Sequence, residues 1–251
     1  MAGHSHWASI KHKKAAVDAK RGKLWSKLSR AIIVAARAGG GDPEFNPRLR
    51  AAIEAAKSAG MPKENIERAI KRGTGELEGT SYEEVIYEGY GPGGVAILCE
   101  ALTDNRNRTT SEIRKCFEMH NGKLGTANCV AWMFDRKGLF VFDAGAVKED
   151  LVMEVAIEAG AEDVRRSGNK IEVITALEDF EKVKDAFHRA NMHPELAQVS
   201  RIPKETIDLD ADTARKVLKL MERLDEHDDI QSVSSNFNIP EEVMAELEKE
   251  S

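Results

Sequence analysis

Residues 137–203 read KGLFVFDAGAVKEDLVMEVAIEAGAEDVRRSGNKIEVITALEDFEKVKDAFHRANMHPELAQVSRIP. The apolar residues of this stretch switch between two periods. Short runs at 139–142, 163–166, 171–175 and 196–202 have the length and composition of strands. Segments 147–159 and 177–190 instead repeat their apolar residues at spacings of three and four, as a helix with one buried face does. Ser167-Gly168-Asn169, between the second and third runs, is a hairpin connection. The order strand, helix, strand, strand, helix, strand predicts a ferredoxin-like unit.

On the N-terminal side, β-like runs at 84–90 and 95–103 are joined by Gly91-Pro92-Gly93-Gly94, and a helix is expected from about 109 to 120. On the C-terminal side a helix at 211–226 and a strand at 230–237 remain. Neither flank is complete alone; together they supply a four-stranded layer with two helices. Further upstream, apolar residues at 24, 25, 28, 32, 35 and 36 mark one helix, closed by Gly39-Gly40-Gly41. Asn46-Pro47 opens a second helix ending near Gly60, and Pro62 opens a third closing at Gly73. Residues 74–81 read as a linker. The expected fold class is α+β, with a small N-terminal helical bundle and two ferredoxin-like α/β domains, one inserted in the other. The boundaries expected are 1–79 for a basic leader and bundle, 80–130 with 204–251 for the discontinuous domain, and 131–203 for the inserted one.

Charge is divided unevenly over these units. Residues 1–72 hold 16 Lys and Arg against 6 Asp and Glu, whereas the other 179 residues hold 21 against 37. A basic module on an acidic body points to a nucleic-acid partner that the net charge of −6 conceals. The densest run is Lys11-His12-Lys13-Lys14 followed by Lys20-Arg21-Gly22-Lys23. Such clusters meet phosphates without reading sequence, although a solvated, solubilising face has the same composition. The bundle behind it adds Lys27, Arg30, Arg37, Arg48, Arg50, Lys57, Arg68, Lys71 and Arg72 on its expected outer faces. Residues 1–22 contain few large apolar groups, so this leader is expected to be mobile. Trp7 could stack on a base, and Trp25 belongs to a buried face.

A second constellation is Thr103-Asp104-Asn105-Arg106-Asn107-Arg108-Thr109-Thr110, between a strand and a helix. Helix N-termini favour anions, so Arg106 and Arg108 oppose the dipole and need a compensating partner. Asp104, another carboxylate, or a nucleic-acid phosphate would serve.

Other chemistry is poorly represented. No phosphate-binding G-x-x-x-x-G-K, no G-x-S-x-G and no H-E-x-x-H occurs, and residues 89–94 form a turn rather than a nucleotide loop, so no enzyme, cofactor or metal is expected. Cys99, Cys116 and Cys129 lack C-x-x-C spacing and read as buried apolar residues of a reducing compartment. The acidic run Asp225-Glu226-His227-Asp228-Asp229 reads as a solvated helix end, and His188, His193 and His227 as surface residues. Nothing approaches the ~20 apolar residues of a membrane span, so a cytoplasmic protein without a membrane partner is expected.

These segments together resemble the YebC/PmpR family, whose mitochondrial relative is the translational activator of cytochrome c oxidase. The resemblance rests on Met-Ala-Gly-His-Ser-His-Trp at 1–7, Ile10-Lys11-His12-Lys13-Lys14-Ala15-Ala16 and Asp18-Ala19-Lys20-Arg21-Gly22-Lys23. It continues through Asn46-Pro47-Arg48-Leu49-Arg50, residues 61–73, Tyr87-Glu88-Gly89-Tyr90-Gly91-Pro92-Gly93-Gly94, residues 103–109, and Asp228-Asp229 leading to Asn236-Phe237. It begins at Met1, which argues against a cleaved presequence. The resemblance implies three domains and a non-enzymatic regulator of gene expression. It implies either a DNA-binding transcriptional regulator or a ribosome- and rRNA-associated translation factor that eases elongation at proline runs. Candidate nucleic-acid contacts are Lys11, His12, Lys13, Lys14, Lys20, Arg21, Lys23, Arg48, Arg50, Arg68, Lys71, Arg72, Arg106 and Arg108. Oligomeric state is not legible. Asn128-Cys129 stands where the family commonly has Gly-Ser, which puts a role for that turn in doubt because glycine takes left-handed backbone more readily.

Overall fold

Three helices come first among the described residues: α1 (Asp18–Gly39), α2 (Pro47–Ser58) and α3 (Lys63–Thr74). The computed structural model describes residues 18–249. Helix α1 is already formed at Asp18, six residues before the apolar pattern starts, and Lys20 to Lys23 are helical rather than part of a mobile leader. That early turn has little to bury, so hydrophobic spacing could not reveal it. The loop between α1 and α2 is tied by Asn46, whose side chain donates to the carbonyls of Ala35 (2.8 Å) and Gly40 (2.9 Å) and accepts from the Leu49 amide. Asn46 thus ends one helix and caps the next, and Gly40 makes the reversal at φ 87°. Helices α1 and α3 cross closely at Gly73, where an added Cβ would lie 2.6 Å from both the Ala36 Cβ and the Ile33 carbonyl. Ile32, Ile33, Leu49, Ile53, Met61 and Ile66 fill the bundle core, and Trp25 packs against it with its indole N–H on the Ala59 carbonyl.

The next unit comprises β1 (Glu83–Tyr90), β2 (Ala96–Thr103), α4 (Arg106–Met119) and the short β3 (Lys123–Leu124). Helix α4 starts three residues earlier than its apolar spacing implies, because Asn105 caps it by accepting the Arg108 amide. The chain then enters β4 (Phe134–Asp143), α5 (Glu149–Ala159), β5 (Asp163–Ser167), β6 (Lys170–Thr175), α6 (Phe180–Arg189) and β7 (Leu196–Pro203). This sheet has order β5-β6-β4-β7 and every pairing is antiparallel, which is the ferredoxin-like arrangement. Phe140, Phe142, Ile171 and Val173 alternate onto the face covered by α5 and α6, with Phe187 edge-on to both phenylalanines.

After β8 (Ile207–Asp208) come α7 (Ala211–Asp225), β9 (Ile230–Ser235), β10 (Phe237–Asn238) and α8 (Glu241–Lys249). Strand β9 pairs with β2, giving a sheet of order β3-β1-β2-β9. The chain thus leaves this sheet after β3 and returns to it after β7. Helices α4 and α7 cover one face through Ile113, Phe117, Val217, Leu220 and Leu224, packed on Tyr87, Ile97, Cys99 and Val233. Cys99 and Cys116 are buried there, and desolvation pushes both thiols above their ordinary range; Cys129 is only half-buried. The architecture is α+β, a helical bundle beside two four-stranded layers.

Candidate nucleic-acid interface

Helix α3 carries Arg68, Lys71 and Arg72 at spacings of three and four, which places them on one face. Its core-facing residues Ile66, Ala69 and Gly73 hold the opposite face against the bundle. Lys71 and Arg72 fall in the last turn, where cations are favoured by the helix dipole. All three are exposed, and none of their side chains makes a hydrogen bond or ion pair among the described residues. Lys57, in the last turn of α2, is exposed as well.

The other candidate cations differ in how they are held. Arg48 pairs with Glu84 of β1 at 2.7 Å, and that hydrogen bond holds the Glu84 carboxyl below its usual range against partial burial. Arg50 donates to the Pro43 carbonyl at 3.2 Å. Arg21 lies over the Trp25 ring, 5.6 Å from its centroid, and Lys23 is 3.6 Å from Asp228. Lys11, His12, Lys13 and Lys14 lie outside the described residues, as does the side chain of Lys20.

Residues 103–109 meet α1 at a single carboxylate. Asp229, 2 % exposed, receives Arg108 (2.9 Å) and the Thr109 hydroxyl (2.6 Å) on one oxygen and Arg30 of α1 on the other. Arg108 also binds Asp104 at 2.8 Å. Burial pushes the Asp229 carboxyl up, but the Thr109 and Arg108 hydrogen bonds with nearby Arg30 outweigh it and hold it below its ordinary value. Arg108, hydrogen-bonded to Asp229 and Asp104, is held above its own. Arg30 also donates to the Asp228 carbonyl (2.8 Å) and lies 5.3 Å from the Tyr82 ring centroid. Lys27 donates to the Asp225 carbonyl at the end of α7, a favourable place for a cation. The compensating partners of Arg108 are therefore carboxylates. Arg106 is exposed, and its guanidinium makes no hydrogen bond or ion pair among the described residues.

The structure departs from the residue pattern at three places. The acidic run at 225–229 is not simply a solvated helix end, because Asp229 is the buried joint between α1, α4 and β9. Arg30 is not an exposed cation of the bundle but is largely buried against that joint, at 17 % side-chain exposure. His227 is not a free surface residue: its Nε2 meets Glu112 at 2.9 Å and its Nδ1 accepts the Asp229 amide at 3.1 Å. The accepting role at Nδ1 leaves the proton on Nε2, directed at Glu112. Glu112, His227 and Asp229 are close enough to share a cation. They do not suit one, since two guanidinium groups already occupy Asp229 and the His227 Nδ1 is engaged. The pairing of Arg30 with Asp229 spans 199 residues, so no local pattern signals it. No helix among the described residues is long and apolar enough to cross a membrane.

Comparison with known proteins agrees with this architecture. Residues 5–76 match the family model described as the TACO1/YebC protein N-terminal domain, and residues 82–237 the model of the TACO1/YebC second and third domain. A "Probable transcriptional regulatory protein" of Dictyoglomus turgidum is 56 % identical over 98 % of this chain and 100 % of its own length. One from Desulfosudis oleivorans is 55 % identical over 97 % and 99 %. The crystal structure of a conserved hypothetical protein from Aquifex aeolicus superposes with a TM-score of 0.85 at 56 % identity, covering 94 % of this chain and 98 % of that one. The chain belongs to the TACO1/YebC family.

Proposed function

We propose that this protein is a non-enzymatic, nucleic-acid-binding regulator of gene expression, acting as a DNA-binding transcriptional regulator through phosphate contacts. The observation that carries the reading is the unpaired row Arg68, Lys71 and Arg72 on α3. Three cations on one rigid face, none of them ion-paired with a carboxylate among the described residues, suit a polyanion. The relatives' names support the transcriptional assignment. So does the connection of α2 to α3, a four-residue turn containing Gly60, which is the linkage found in helix-turn-helix units.

One observation favours a second reading, an rRNA- and ribosome-associated translation factor easing elongation at difficult sequences such as proline runs. The first half of α3 exposes Glu64 and Glu67 where a recognition helix would carry its base-reading side chains. Carboxylates there disfavour a row of G-directed contacts and leave phosphate binding as the main term, which structured RNA satisfies equally. Sequencing the nucleic acid cross-linked to the full chain in cells separates the two. Promoter DNA as the dominant species supports transcription, rRNA supports translation, and recovery of neither above background removes the nucleic-acid reading.

A further inference from the structure

Trp132 is 65 % exposed, although it belongs to a tightly built turn. The turn is organised around Glu88 of β1, a carboxylate buried to 4 % exposure. Glu88 Oε1 accepts the Asn128 amide at 2.6 Å, and Oε2 accepts those of Val130 (2.8 Å) and Ala131 (2.7 Å). Asn128 makes the turn in left-handed backbone, φ 65°, so asparagine serves where glycine is the easier choice. Beneath it Val130 and Phe134 pack on Ala96 and Leu98, with Met133 at the edge. A segment held by a buried carboxylate and a small apolar core has no need to leave an indole in water.

The polar tip of Trp132 is engaged by its own turn. Its Nε1 donates to the Cys129 carbonyl at 3.2 Å, and the Tyr90 hydroxyl donates to the same oxygen at 3.2 Å. Two aromatic side chains thus converge on one acceptor, their only donors are engaged, and what they present outward is ring surface. Lys123 lies directly across from Tyr90 in the β1–β3 register and is exposed, and its ammonium makes no hydrogen bond or ion pair among the described residues. Lys204 is joined to the same turn through its amide on the Met133 carbonyl (2.9 Å), and its half-exposed ammonium sits 3.5 Å from Asp135.

We propose that Tyr90 and Trp132 form a stacking platform for an unpaired base of single-stranded nucleic acid, with Lys123 meeting the adjoining phosphate. Aromatic faces flanked by cations are what sequence-tolerant single-strand binding uses, and a duplex, whose bases are already stacked, cannot engage them without opening. The exposed ammonium of Lys123 supplies the charge complementarity to a phosphate. The proposal deepens the nucleic-acid reading and rests on it, but it concerns a surface separate from α3.

The test uses the full chain, an oligouridine of about 12 nucleotides and a duplex of equal length. Trp132→Ala is expected to weaken the oligouridine about 5- to 100-fold, with Trp132→Phe retaining most of the affinity, because stacking needs a ring and not the indole N–H. Duplex affinity and the slope of single-strand affinity against salt should not change, since no phosphate contact is lost. Wild-type tryptophan emission should fall on adding oligouridine, and that fall should be much smaller in Trp132→Phe. Equal losses on both probes, an unaltered oligouridine affinity in Trp132→Ala, or no emission change at Trp132 would overturn the platform. Unaltered oligouridine affinity is also the result expected if this surface docks a protein. Failure of Arg68, Lys71 and Arg72 variants to alter duplex binding would instead count against the α3 reading alone.

Discussion

Arg30 and Arg108 converge from different helices on the buried Asp229, whereas Arg68, Lys71 and Arg72 stand on the outer face of α3 with no partner among the described residues. Both groups belong to segments that are cationic in sequence, and only their surroundings separate them. At Asp229 the cations neutralise a desolvated carboxylate, and their removal would leave it buried and uncompensated. On α3 the positive charge is already solvated, so its removal disturbs the fold little and alters only what the surface attracts. Cationic composition alone therefore overstates the interface. In this protein part of the charge holds the bundle to the neighbouring sheet and part is available to a polyanion.

The largest effect expected from this contrast is at the joint. Asp229→Ala leaves Arg30 without its carboxylate and Arg108 with Asp104 alone, and removes an acceptor of Thr109. It should cost about 3 kcal/mol in urea denaturation, the low end for breaking a buried pair, because Arg108 retains some contact with water. A loss under ~0.5 kcal/mol would mean that the joint is ornamental. Next comes the pH dependence of the same site. The Asp229 carboxyl is held below its ordinary value, so its stabilisation is fully present above the ordinary aspartate range, near ~3.9, and is lost as pH falls through the depressed value. The acid limb of the stability profile should be shallower in Asp229→Asn than in the wild type. Superimposable limbs would assign acid unfolding to other carboxylates. The smallest effect is at Asp104, whose exposed i, i+4 bond to Arg108 should be worth about 0.3–0.5 kcal/mol when removed by Asp104→Asn.

Much of the architecture was legible because it is written in local periodicity. The unbroken apolar run at 139–142 has the length of a strand buried on both faces, and Val183 and Phe187 repeat at four, so both the strand and the helix of the inserted unit announce themselves. Asn46-Pro47 marks a helix start through capping chemistry that needs no tertiary context. Features that depend on distant partners were not legible. The cationic first turn of α4 looked unfavourable for a helix until Asp229, 121 residues beyond Arg108, is placed beside it. Glu88 occupies an ordinary place in a strand run, and only the fold shows three amides turned toward it. Trp132 sits between the buried Val130 and Phe134, and its exposure follows from the direction of the turn rather than from its neighbours in sequence.

The salt dependence of binding addresses the division between structural and available charge most directly. Affinity of the full chain for a duplex would be measured across salt for the wild type and for Arg68→Gln/Lys71→Gln/Arg72→Gln, with urea stability as a companion. The triple variant should show a log–log slope smaller in magnitude by about 2.7, roughly 0.9 for each lost phosphate contact, with stability altered by less than about 0.5 kcal/mol per substitution. Identical slopes for the two proteins would contradict that division.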